Sequence, residues 1–578
     1  MGIPSMFSYI VKNHPTIIRE YVKNVLTVDN LYIDGNSIVY DAYNKMDFDK
    51  LTESVAVSII RSVILKIEEY ISIINPSKTV IIAFDGVAPV AKLEQQRSRR
   101  YKSWYQNEIT RMIFKKEKDD SWNTTAITPG TKFMAELNDV VSKHFNSASF
   151  TRLNVQDIIV SGSNNVGEGE HKIFDYMRMN LEKHFIETTV IYGLDADLIM
   201  LSINHLSICP NIYLFRETPH FIQSIDSSLK PDANYFLDIP ELTKTIVKNM
   251  NNDRELTLEQ QKNKVFDYIF LCFFLGNDFL PHFPAVNIRT GGVDKLLNAY
   301  KATIGDTNEY ITDGKIINWN NVRKVVKFLA DLEEEFIIKE HRSRNSKEKR
   351  LMPENTPEEK FKKFEATPVY ERDMEKYINP VKPNWQARYY NGLFGIKEGL
   401  KEGLKEGLKE GLKEGLKEGL KEGLKEGLKE GLKEGVKEGE DKIRDIAVNY
   451  LEGLEWTMKY YTTGCPDWRW KYKYNYPLLL KDLIKYIPVF NKEFVPNKPA
   501  NPVSEMVQLC YVLPRSSLNL IPSKLYFELL RHHDDWYKGN CDYVWAYCKY
   551  FWEAHVEMNE INIDELERFI STNKYLVK

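Results

Sequence analysis

The 578-residue chain reads as an α/β protein, with a mostly parallel sheet covered by helices followed by a second, largely helical region. Three observations predict this. Short β-branched runs recur between helical patterns in residues 1–330, the alternation that builds a parallel sheet. Acidic residues stand where those runs end, at Asp34, Asp85, Asp195 and Asp197. After residue 330 the β-branched runs give way to charged and helical patterns.

Leu31-Tyr32-Ile33 is the first clear strand and leads into Asp34. Ser54–Ile74 has helical periodicity, and Val80-Ile81-Ile82-Ala83-Phe84 then forms a strand before Asp85. A basic helix should begin near Pro89. Glu168-Gly169-Glu170-His171-Lys172 opens a helix expected over Glu170–His184, and the Thr188–Tyr192 strand precedes Asp195 and Asp197. The apolar run Tyr268–Leu275 precedes Asp278 and reads as another strand ending on an acid. Residues 331–372, with Arg342-Ser343-Arg344 and Lys347-Glu348-Lys349-Arg350, read as a solvated charged connection. Residues 373–578 form the second region.

That second region is interrupted at 397–440 by a Lys-Glu-Gly-Leu repeat, nine units and two variants long. A four-residue period overshoots 3.6, so its leucines drift around the axis and share no face. Glycine in every unit costs about 1 kcal/mol against alanine. The expectation is a marginal exposed helix or a disordered insert without chemistry. An amphipathic helix over Asp445–Tyr461, an aromatic tract over Trp468–Pro477 and a helix over Ser523–His532 follow.

Composition excludes several classes. Hydrophobic residues make up 43%, enough for a core, and the net charge of −3 confines any nucleic-acid surface to a local patch. Six cysteines include no C-x-x-C pair, which argues against a zinc site or disulfide framework. No apolar stretch approaches a membrane span and no signal-peptide core is present. The expectation is a soluble intracellular protein, cytoplasmic sooner than nuclear, with no membrane partner.

A lone acid after a strand is usually a turn or cap residue. Five separate positions that together carry seven acids (Asp34, Asp85, Glu168, Glu170, Asp195, Asp197 and Asp278) exceed what capping explains. Buried carboxylates need cations, and an all-oxygen set suits hard divalent ions shared with a phosphate. On a helix beginning near Pro89, Lys92, Gln96, Arg99 and Arg100 share a face. Two guanidinium forks, an ammonium and an amide suit a terminal phosphate, though a plain solvated basic face would read the same.

These stretches together resemble the XRN family of 5′→3′ exoribonucleases. The likeness rests on Met1-Gly2-Ile3-Pro4, Asp34-Gly35-Asn36, Asp85-Gly86-Val87-Ala88-Pro89 with Gln95-Gln96-Arg97-Ser98-Arg99-Arg100, and Gly167–Lys172. It continues through Tyr192–Ile199, Gly276-Asn277-Asp278-Phe279, Glu452-Gly453-Leu454-Glu455-Trp456 and Gly464-Cys465-Pro466. The resemblance implies a core of the 5′-nuclease (PIN-like) type, braced by a second region that walls the site. It implies single-stranded RNA with a 5′-monophosphate as substrate and two Mg²⁺ or Mn²⁺ ions on the seven acids. It places the phosphate on Lys92, Gln96, Arg99 and Arg100. An aromatic pair should clamp the 5′ base. The family's usual histidine six residues after the first aspartate is Tyr40 here, and its partner is expected to be Trp470 in preference to Trp468. The long C-terminal domains of large members are not expected. Rival readings are a related 5′ nuclease acting on DNA and a non-catalytic RNA 5′-end binder.

Overall fold

The computed structural model describes residues 3, 5–20, 26–115, 122–217, 227, 229–230, 233–251, 254–396, 422–538 and 541–577. Seven strands form one sheet in the order β1-β7-β6-β5-β2-β3-β4. They are β1 (Ile18–Glu20), β2 (Asn30–Asp34), β3 (Thr79–Ala83), β4 (Asp157–Ser161), β5 (Thr189–Tyr192), β6 (Ile212–Glu217) and β7 (Asn234–Asp238). Strands β2 to β6 are mutually parallel, while β7 runs antiparallel to both β6 and β1. The three strands expected before Asp34, Asp85 and Asp195 are thus present as β2, β3 and β5. They are buried on both faces, which explains their unbroken apolar runs.

From β2 the chain moves to β3 and β4 on one side, then returns to β5 and β6 on the other. The carboxyl ends of β2 and β5 therefore flank the switch point where ligands of open α/β sheets bind. Register pairs Ile33 with Tyr192 and Asp34 with Ala83, so Asp34, Asp85 and Asp195 emerge at one edge. The Val55–Ile74 helix covers one face, burying Ile59, Val63, Ile67, Tyr70, Ile71 and Ile74 at helical spacing. Ser54 caps its start and Asn75 ends it in the left-handed region.

Three expectations need correction. The helix expected over Glu170–His184 is two, Gly169–Met179 and Leu181–Ile186, broken at Asn180. The run before Asp278 is not a strand but the Leu258–Cys272 helix and the 3-10 turn Phe273–Leu275. A Thr257–Gln260 capping box starts that helix, and burial of every residue from Lys264 to Cys272 hides its period. The charged stretch after 330 is not a solvated connection: Trp319–Glu348 is one helix, with Glu333, Arg344 and, beyond it, Arg372 and Glu375 buried. Its charges are satisfied internally, since Glu375 accepts from Arg344 Nη2 at 2.7 Å and Arg372 Nε at 2.7 Å. For the repeat, its later units take the helical one of the two expected alternatives. Residues 397–421 lie outside the described residues, and the Glu422–Thr462 helix carries the remainder into the expected Asp445–Tyr461 segment.

The second region packs against the sheet's carboxyl edge. Val87, Ala88 and Leu93 share an apolar cluster with Val507, Leu509, Val512, Leu513 and Leu525. No helix among the described residues is long and apolar enough to cross a membrane.

Candidate active site

Asp34 ends β2 and accepts the Asn36 N–H at 3.3 Å, so the same carboxylate caps the following helix. Asn36 then reaches across to Asp85, donating from Nδ2 to Oδ2 at 2.6 Å and accepting the Asp85 N–H at 3.0 Å. Asp85 Oδ1 accepts the N–H of Gly169 at 2.7 Å. That approach requires glycine: a Cβ there would lie 3.0 Å from Ala83 O and 3.2 Å from Asp34 Oδ1. The Gly169–Met179 helix thereby brings Glu168 and Glu170 to the strand ends, both buried. The Asp195 Oδ1 caps the N–H of Asp197 at 3.2 Å at the start of the Asp197–Asn204 helix.

Lys92 ties this group to Asp278. Its ammonium lies 2.6 Å from Glu168 Oε1 and 2.7 Å from Asp278 Oδ2. Although burial opposes its charge, Asp278 and Glu168 raise its pKa well above the ordinary lysine value. Asp278 is held below the usual carboxylate range by Lys92, against the effect of burial. Asp34, Glu170 and Asp197 shift the other way. Burial, and then neighbouring carboxylates, push Asp34 and Glu170 well up, and Asp197 up to about 7. Asp197 Oδ1 is buried without a hydrogen-bond partner among the described residues. Seven carboxylates so placed fit a divalent cation: the donors are hard oxygens, and the buried negative charge needs a counter-charge. Glu168, Glu170 and His171 present ligand atoms within 4.8 Å of one another.

The basic helix is Val90–Phe114, and its residues divide by role. Lys92 faces the acids. Gln96 is buried with Oε1 unpartnered, and Arg100 has Nε unpartnered among the described residues. Burial pushes the Arg100 guanidinium down to about 10, while Tyr40 nearby favours its charge, so it remains cationic at neutral pH. Arg99 lines a cavity of about 800 Å³ that also touches Asp278. Arg97, in contrast, is structural: it donates to the carbonyls of Trp536 and Asn559 at 3.2 and 2.9 Å.

The aromatic residues sort differently from the expectation. Trp470 is 9% exposed and stacked on Trp456 at 5.2 Å and 24°, so that face is taken. A Cβ on Gly453 would lie 2.9 Å from its ring, which explains the small residue there. Trp468 is half-buried, and its carbonyl accepts the Val90 N–H at 3.0 Å, beside the start of the basic helix. Tyr40 is half-buried on the Gly35–Asn44 helix. Of the two tryptophans, Trp470 thus has one ring face covered, and Trp468 has its backbone bonded to the start of the basic helix.

Sequence reasoning missed Asn36, Lys172 and Tyr460. Asn36 stands two residues after Asp34, within the Asp34-Gly35-Asn36 motif, which is the signal the sequence offers for it. Lys172 donates to the carbonyls of Phe84 and Gly162 at 2.7 and 2.8 Å, pinning the ends of β3 and β4 together. Tyr460 donates to Glu168 Oε2 at 2.7 Å from 292 residues away, and nothing local announces it.

Comparison with known families agrees with this geometry. Residues 1–218 match the model described as XRN 5′-3′ exonuclease N-terminus, and residues 260–545 match the Xrn1 helical domain. The chain belongs to the XRN family. Among family members, the Drosophila melanogaster 5′-3′ exoribonuclease 2 homolog is 27% identical over 90% of this chain and 65% of its own length. The Saccharomyces cerevisiae 5′-3′ exoribonuclease 1 is 27% identical over 90% of this chain and 40% of its own length. The human 5′-3′ exoribonuclease 1 is 29% identical over 92% of this chain and 32% of its own length. The chain thus spans less than two-thirds of these XRN relatives.

Proposed function

We propose that this XRN protein is a 5′→3′ exoribonuclease that hydrolyses RNA bearing a 5′-monophosphate, one nucleotide at a time. The observation that carries the reading is the meeting of seven carboxylates with one end of a basic helix, through Lys92. Asp34, Asp85, Glu168, Glu170, Asp195, Asp197 and Asp278 would hold two Mg²⁺ or Mn²⁺ ions. Such ions supply a water nucleophile at neutral pH and charge stabilisation for the attacked phosphate.

The chain's own residues do the rest. Gln96, Arg99 and Arg100 bind the 5′-phosphate, their forks matching its oxygens and their enclosure disfavouring a bulkier end. Lys92 sits between phosphate pocket and acids, and neutralises the carboxylates nearest the phosphate. Tyr40 and Trp468 stack the 5′ base, at roughly 1–3 kcal/mol per base and without regard to sequence. The second region closes the crevice and restricts water, so that every electrostatic contact inside is stronger than it would be in solvent.

The test is digestion of one 5′-labelled RNA carrying monophosphate, triphosphate or hydroxyl ends, with Mg²⁺ and with EDTA, beside the matching DNA. Metal-dependent release of labelled mononucleotide from the monophosphate RNA is the expected result. Internal cuts, equal use of all ends or preference for DNA would overturn it.

A further inference from the structure

We infer that Tyr460 is a positioning residue of the metal site, through which the helical region sets the geometry of Glu168; this rests on the reading of the acids as metal ligands. A carboxylate with one donor can pivot about its Cγ–Cδ bond, but one gripped on both oxygens cannot. Glu168 is gripped on both: Lys92 takes Oε1 at 2.6 Å and the Tyr460 hydroxyl donates to Oε2 at 2.7 Å.

Tyr460 is itself immobilised. Its ring stacks on His171 at 3.7 Å on one side and on Trp456 at 4.7 Å and 24° on the other. Phe279 meets it edge-on at 5.5 Å. Glu168 also presents a ligand atom within 4.8 Å of one from Glu170 and one from His171. Two of the three rings around Tyr460 belong to residues next to the acids read as metal ligands, Phe279 beside Asp278 and His171 beside Glu170. Its cage is therefore built from the same segments that deliver the ligands.

Loss of the hydroxyl frees Glu168 to rotate while leaving the ring stack in place. Removal of such an outer partner typically costs 10–100-fold in metal affinity. The test is Mn²⁺ binding by calorimetry or by the free-ion EPR signal on the full chain, for wild type, Tyr460→Phe and Tyr389→Phe. Tyr389 is the control: it is an equally buried tyrosine whose hydroxyl donates to the Pro477 carbonyl at 2.7 Å, a contact with no acid. We expect Tyr460→Phe to weaken Mn²⁺ binding by about 10-fold, Tyr389→Phe to leave it unchanged, and RNA hydrolysis by Tyr460→Phe to recover in excess Mn²⁺. Equal Mn²⁺ affinity in wild type and Tyr460→Phe would overturn the inference. So would a loss matched by Tyr389→Phe. Wild type that binds Mn²⁺ but cleaves no RNA would instead refute the exonuclease reading and leave the inference standing.

Discussion

Glu375 in the helical region and Glu170 at the sheet edge are both nearly hidden, at 2% and 8% exposed, yet they live in opposite surroundings. Glu375 accepts from Arg344, from Arg372 and from the Tyr547 N–H at 2.8 Å. Among the described residues, Glu170 has an ion-pair contact only with His171, at 4.0 Å, and it faces Asp195, Asp197 and Glu168, with the Lys92 charge as partial compensation. A buried charge kept for architecture is satisfied by its own chain, because each unpaired ion costs several kcal/mol. A buried charge left facing its like is held for something the chain does not supply. Both regions are acidic and basic in sequence, and only their partners distinguish scaffold from site.

The sharpest way to break this comparison is to remove charge from each side. Asp195→Ala/Asp197→Ala should lower single-turnover RNA hydrolysis by roughly 10³-fold or more. Its melting temperature without divalent ions should stay level or rise, since like charges have been removed. A variant that loses its fold in parallel with activity would place these acids in the scaffold. Arg344→Met should do the reverse, costing about 3–5 kcal/mol in urea unfolding by removing one of the two guanidiniums that neutralise buried Glu375, while the folded fraction binds Mn²⁺ as wild type does.

Smaller effects sharpen the division. Arg100→Ala should reduce the preference for monophosphate over hydroxyl ends by about 10-fold, the value of one charge-assisted hydrogen bond, with cleavage chemistry intact. An unchanged end preference would move the phosphate elsewhere. In the scaffold, burial pushes Glu333 up to about 7, although it accepts the Leu480 and Lys481 N–H groups. Its folded pKa lies above the unfolded one, so its contribution is complete below about pH 4.5 and is lost as pH rises through 7. Glu333→Gln should therefore fall less in stability across that window than wild type, as read by chemical denaturation at each pH.

The same contrast explains what could be read in the sequence. The parallel strands were plain because β2, β3 and β5 are covered on both faces and must be apolar throughout. Asp34, Asp85 and Asp195 were visible because a strand end is a fixed place for a functional group. The Tyr268–Leu275 run failed because a helix buried all round has no period to see. The Trp319–Glu348 helix was mistaken for a solvated stretch because its partners, Glu375 and Arg372, lie past its end. Trp470 and Trp468 stand two residues apart in one aromatic tract, and it takes contacts from distant residues, such as the Trp456 stack on Trp470 and the Val90 N–H on the Trp468 carbonyl, to tell them apart.

The central claim is that the acids at the sheet edge are held for divalent cations. Calorimetric titration of Mn²⁺ into the full chain, beside Asp195→Ala/Asp197→Ala, tests it most directly. Two ions bound by wild type, and markedly weaker or fewer in the variant, is the predicted result. Wild type that binds no Mn²⁺ at millimolar concentration would contradict it.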